Sequence, residues 1–336
     1  MTTKGFRAEG IDLFRFIGAF FIMMLHTEYG DLPETYVNVL RLSGRWAVPF
    51  FFIVSGYFLA AKVNRQTLEL GRLEKGLFRL ISVLLVSSLF YLMLNFYYTG
   101  AFFFSISNII AGTNFHLWFL GSLIFGYILI WYCFMLNKGK YLGWISLLVV
   151  LFAILSDSYD VILGVELDYE LARFMISLPC LYAGIQLAKM QFPKQWWPVY
   201  LLISLFGLGL SIAEAYALNI AYGLDMWEPQ LLFGSLIMAL GLFAFAASIR
   251  LKANALSKMG AQHSLLIYLY HPFVYFLLLV FGKNLLSEDV RLLFERFNPV
   301  WGFIVTLSGI VLLQRWLPGV YRILNGDLRK GKKASV

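Results

Sequence analysis

Charge is what this chain has least of. Asp, Glu, Lys and Arg make up 14% of its 336 residues, against about a quarter in soluble domains. With 60% hydrophobic and 18% aromatic residues, so little charge excludes an ordinary soluble domain and points to a polytopic membrane protein. Cysteine is scarce as well. Cys133 and Cys180 both fall inside apolar runs, and no CxxC or other metal-ligand spacing occurs. A disulfide framework is excluded, both thiols read as buried and structural, and no metal or bound cofactor is expected. The net charge of +8 is scattered through short loops and accompanies no nucleic-acid motif, so it sets orientation in a membrane rather than affinity for nucleic acid.

What the chain has is apolar runs. About ten are long enough to span a bilayer: 11–29, 46–63, 77–98, 116–136, 141–156, 171–189, 196–219, 230–249, 263–282 and 298–317. The expectation is an all-α polytopic protein, one integral-membrane domain over 1–336 with a basic tail at 318–336. Lys4 and Arg7 precede the first run as in a signal peptide. Asp12 and Arg15 interrupt that run, however, and no small-residue cleavage site follows, so it reads as a retained helix. With the N-terminus cytoplasmic, twenty of the 27 Lys and Arg residues lie on the inner side and five on the outer. The inner set runs from Lys4 through Lys75, Lys140, Lys194 and Arg250 to Lys333. Such an excess puts both termini in the cytoplasm and favours an even number of helices. Lipid headgroups meet tryptophans at both boundaries, and Gln66–Lys75 reads as an interfacial segment.

The chain is organised around Gly10–Tyr29, GIDLFRFIGAFFIMMLHTEY. Charged groups in hydrocarbon cost about 3 kcal/mol each on insertion scales, so Asp12, Arg15 and His26 ask for a reason. At about 100° per residue, the step from Arg15 to His26 turns a helix by only about 20° net and covers about 16 Å. Asp12 lies within about 40° of the same stripe. One helix thus presents a polar seam, a cation near its cytoplasmic mouth and an imidazole near the outer one. Imidazole titrates near neutrality and suits proton abstraction from a hydroxyl. The guanidinium suits a phosphate or the pantetheine arm of a coenzyme, although Asp12 could simply neutralise it.

Other candidates are spread along the chain. His116 and His263 open the fourth and ninth helices, and His271 lies deeper in the ninth, on one stripe with Ser264 and Tyr268. A kink in the second helix is expected at Pro49, and its small Ser55 and Gly56 admit a ligand or a neighbouring backbone. Arg41 and Arg45 flank the outer entrance and suit an anionic sugar, a pyrophosphate or a lipid headgroup. Arg173 and Glu214, near the outer ends of their helices, need each other or a polar cavity. Tyr57, Ser55 and Arg45 are candidate oxyanion stabilisers.

The Arg15–His26 spacing, VPFFFIVSGYF at 48–58, HLWFL at 116–120 and SLLIYLYHP at 264–272 together resemble the membrane acyltransferase 3 family, most closely its short single-domain O-acetyltransferases. The resemblance implies a multi-pass enzyme of the bacterial inner membrane. It implies an acyl group, usually acetyl, passing from cytoplasmic acyl-CoA to a hydroxyl of a surface polysaccharide or lipid-linked glycan. By the same resemblance Arg15 and His26 are the family's first-helix pair, Ser55 and Gly56 its SG block, and His271 its late-helix histidine. The resemblance implies acetyl-CoA as donor and polysaccharide-assembly proteins as partners. Two other classes fit the same helices: a transporter or flippase for a glycolipid or small solute, and a non-catalytic partner in glycan assembly. Paired inverted halves, frequent in transporters, are not seen.

Overall fold

The computed structural model describes residues 9–61, 70–102, 105, 110–164 and 169–328. The basic residues Lys4, Arg7, Lys62 and Arg65, the acids Glu166 and Asp168, part of Gln66–Lys75, and tail residues 329–336 lie outside them. Among the described residues every regular element is a helix. We number the main ones α1 Glu9–Leu25, α2 Glu34–Leu42, α3 Ala47–Ala61, α4 Leu70–Thr99, α5 Trp118–Met135, α6 Leu142–Asp157 and α7 Tyr169–Met175. The rest are α8 Ser177–Leu187, α9 Trp197–Tyr222, α10 Phe233–Ser248, α11 Ala255–Leu285, α12 Glu288–Arg296, α13 Asn298–Trp316 and α14 Pro318–Leu324.

Seven of the described helical stretches are long and apolar enough to cross a membrane. The other three expected spans correspond to α1, α10 and the pair α7–α8, whose helices have 17, 16, 7 and 11 residues. The run 171–189 breaks after Met175 for a local reason. Pro179 has no N–H for the Met175 carbonyl four residues back, whereas a proline in the first turn of the next helix is tolerated. Outward-facing Leu148, Leu202, Phe206 and Ile220 are exposed. A surface of that kind is what lipid requires, and the backbone is satisfied within each helix.

The helices meet through small residues rather than through apolar bulk. Lipid is as apolar as leucine, so close packing must supply the association. A Cβ on Gly56 in α3 would lie 2.1 Å from the Leu181 carbonyl oxygen, and one on Gly184 in α8 would lie 2.0 Å from that of Ile53. Gly260 does the same between α11 and α1, where a Cβ would be 1.8 Å from the Asp12 carbonyl oxygen. Asn254 caps α11 by accepting from the Ser257 N–H at 2.9 Å, and the Ser257 hydroxyl donates to Glu9. The starts of α1 and α11 are thereby joined, and α1 lies along α11 in the middle of the bundle.

Candidate active site

α1 ends at Leu25, earlier than its hydrophobic pattern suggests, and His26 falls in the turn beyond it. The last carbonyls of a helix lack intrahelical partners. Here hydroxyls fill them: Thr27 donates to Met23 at 2.7 Å, Tyr29 to Met24 at 2.9 Å and Tyr275 of α11 to Met23 at 3.2 Å. Arg41 donates to the Thr27 carbonyl at 3.3 Å. The turn that carries His26 is therefore pinned from three elements, and the residue is exposed although its ring packs against Phe115.

Three of the four histidines meet there. The His271 ring is stacked against His26, with centroids 5.7 Å apart and planes 22° apart, and His116 lies 5.8 Å from His271. His271 and His116 are 0% and 1% exposed. His116 does not open a regular α-helix but sits in a 3-10 turn before α5, its backbone carbonyl accepting from the Tyr268 hydroxyl. His263 is absent from the cluster. α11 starts at Ala255, so His263 lies within it rather than opening it, beside the Tyr321 hydroxyl at 3.2 Å. Among the described residues no three His, Cys, Asp or Glu side chains converge as a metal site.

Beside the cluster, a cavity of about 60 Å³ is lined by Leu25, Arg45, Trp118, Asp157, Arg173 and Leu231, among others. Arg45 and Arg173 lie within electrostatic range of His26. Arg45 donates to the Trp227 carbonyl. Arg173 is paired with Glu170 at 3.6 Å and lies over the Trp118 ring at 4.3 Å. Glu214 is engaged elsewhere, accepting from the Tyr159 hydroxyl at 2.7 Å and the Gly234 N–H at 2.9 Å. The Arg173–Glu214 pairing considered above is not what the described contacts show.

Arg15 sits toward the other end of α1, on Asp12 at 2.9 Å, with the carboxylate 2% exposed and the guanidinium 21%. At that end, beside the first turns of α11, a cavity of about 670 Å³ is bordered by Lys75, Arg79, Tyr321, Arg322 and Asp327. Ser55 returns its hydroxyl to the Phe51 carbonyl at 2.8 Å, Gly56 is taken up by the helix crossing, and Tyr57 packs on Phe243. These three lie in the α3 packing and are not among the rings that meet His26. Tyr91, Tyr275 and Asp157, which the sequence reading left without a role, all touch this end of the bundle. Pro272, directly after His271, was the one local signal that could have drawn attention there.

A helical membrane protein with buried histidines at one end of a polar helix and a guanidinium toward the other is the class that this fold and site define. The acyltransferase domain family matches residues 9–314, and the chain belongs to that acyltransferase 3 family. Among curated proteins it is 25% identical over 91% of its length to 46% of a serine/alanine racemase of Enterococcus gallinarum. It is also 30% identical over 47% of its length to 23% of an amino-acid racemase of Enterococcus faecalis. The chain thus spans about half or less of the curated relatives it matches. No solved structure matches.

Proposed function

We propose that this protein is a membrane O-acyltransferase. It moves an acyl group, acetyl in the first instance, from cytoplasmic acyl-CoA to a hydroxyl of a surface polysaccharide or lipid-linked glycan. The observation that carries the reading is the meeting of His26, His116 and His271 at one end of α1 while Arg15 sits toward the other. The acyl-CoA nucleotide docks at the Arg15 end, where the basic cavity of Lys75, Arg79 and Arg322 suits phosphate. The thioester extends toward the histidines. His26 takes the proton of the acceptor hydroxyl as its oxygen bonds to the thioester carbonyl carbon; the C–S bond breaks, and the departing thiolate takes that proton from the imidazolium to leave as the thiol. The excess of basic residues in the inner loops supports cytoplasmic termini and an even number of crossings in a bacterial inner membrane. The choice of acetyl rests on resemblance to short single-domain O-acetyltransferases such as that of the enterobacterial common antigen. The test is mass spectrometry of surface glycans from cells with and without the protein, together with CoA release by purified protein. Unchanged glycans and no consumption of acetyl-CoA would end the reading.

A second reading is favoured by one finding, that the curated relatives named above are called amino-acid racemases and the chain matches only a part of each. On that reading the membrane domain is a carrier, and serine and alanine are the solutes to try. Uptake of labelled serine by proteoliposomes without loss of thioester would support it over acyl transfer.

A further inference from the structure

Pro272 lies in the middle of α11 without ending it. Proline carries no N–H, so the Tyr268 carbonyl, four residues back, has no helical partner. Instead it accepts from His271 Nδ1 at 2.7 Å. The next carbonyl, that of Leu269, takes two side-chain donors, the Tyr91 hydroxyl at 2.7 Å and His116 Nε2 at 2.9 Å. A carbonyl only accepts, so each ring nitrogen facing one must carry the hydrogen. In a neutral imidazole the other nitrogen then has none. Those nitrogens are Nε2 of His271 and Nδ1 of His116, and both are buried with no partner among the described residues.

Buried polar atoms are almost always paired, so two unpaired acceptors on neighbouring rings mark a place for a ligand that donates hydrogen bonds. Metal-bound histidines are also oriented through a carbonyl on the second nitrogen. Here, though, no three side chains among the described residues converge on a metal position.

We propose that Pro272 is the positioning residue of this site. It releases the Tyr268 carbonyl that fixes His271 as the Nδ1–H tautomer, opposite to the Nε2–H tautomer that the Leu269 carbonyl fixes in His116, and the two bare nitrogens receive hydroxyl groups of the acyl acceptor next to His26. The identity of the ligand rests on the acyl-transfer reading; the tautomers do not.

The experiment is ¹⁵N NMR of the 336-residue chain labelled at its four histidines, the signals assigned by single substitutions. His271 is expected as the Nδ1–H form and His116 as the Nε2–H form. In Pro272→Ala the returned N–H reclaims the Tyr268 carbonyl, and the His271 signals shift toward a mixture of tautomers. Acetyl transfer from acetyl-CoA to a surface-glycan extract of cells lacking the protein then falls about 10-fold, with KM for acetyl-CoA unchanged. His271→Asn can still donate to the carbonyl; it keeps the wild-type melting temperature but loses about 100-fold in kcat. The reverse tautomers, metal-shifted nitrogens, or an unchanged His271 signal in folded Pro272→Ala would overturn the Pro272 assignment. Normal transfer by His271→Asn would overturn the acceptor role. Absence of transfer by the wild-type protein removes the ligand together with the proposed function, and leaves the tautomers to decide on Pro272.

Discussion

His271 lies directly behind His26, the two rings 5.7 Å apart and close to parallel, one fully buried and the other exposed. A ligand arriving at this end of the bundle meets His26 first. His26 can then exchange a proton with a substrate whose neighbouring hydroxyls reach the bare nitrogen of His271.

Replacing His26 with Ala should therefore remove acyl transfer while leaving the fold intact, because an exposed turn residue contributes little packing. A loss of about 10²–10⁴ in rate is expected for a general base. CoA release by purified protein and glycan mass spectrometry read it directly, and a melting temperature like that of the wild type separates chemistry from folding.

Gly260→Ala should destabilise the protein, since the new Cβ would lie 1.8 Å from the Asp12 carbonyl oxygen in the adjacent backbone. Overpacking of this kind costs about 1–3 kcal/mol. Gly309→Ala is the control. A Cβ there meets nothing within 4 Å, and exchanging Gly for Ala inside a helix gains about 0.5–1 kcal/mol. Opposite shifts in melting temperature in detergent are the expected pair of outcomes.

Asp157 holds the strand of chain before α10. One carboxylate oxygen accepts from the Gln230 N–H at 2.8 Å, the Leu231 N–H at 2.5 Å and the Ser158 hydroxyl at 2.9 Å. Asp157→Ala leaves the Gln230 and Leu231 N–H groups without this acceptor, at about 1–3 kcal/mol for each that stays buried, while the Ser158 hydroxyl keeps the Leu231 carbonyl at 2.6 Å. Faster hydrogen exchange at the Leu231 amide should accompany the loss, and the wall of the Arg45–Arg173 cavity should loosen with it.

Arg296 grips Asp31 with two hydrogen bonds of 2.6 Å and holds its carboxyl below the usual carboxylate range. A carboxyl with a lowered folded-state pKa contributes stability above its unfolded value, near 4, and loses it as pH falls through the folded value. The melting temperature of Asp31→Asn should therefore lie slightly below wild type at neutral pH, and the gap should close on acidification. The pair is exposed, so added salt should narrow the gap as well.

The helical class and the order of elements were legible because apolar runs of bilayer length leave little else for the backbone to do. Each expected span has a helical counterpart, and the boundaries moved where side chains intervened. Thr27, Tyr29 and Tyr275 end α1 at Leu25, and Pro179 splits α7 from α8. The gathering of His26, His116 and His271 was not legible. Stripe geometry relates residues within one helix, whereas these come from a turn, a 3-10 element and a helix late in the chain. Ser55 and Gly56 carried two open readings, and contact with the α8 backbone accounts for the glycine. Of the two readings left open for Arg173, the cavity is the one the structure shows, with the helix neighbour Glu170 rather than Glu214 at its guanidinium.

The hydrogen atom that stands in for a side chain at Gly260 has a mechanical consequence. With backbone touching backbone there, α1 and α11, which carry Arg15 and His271, meet without an intervening side chain. On the proposed acyl-transfer reading, the long arm of the coenzyme spans the distance between Arg15 and the histidines.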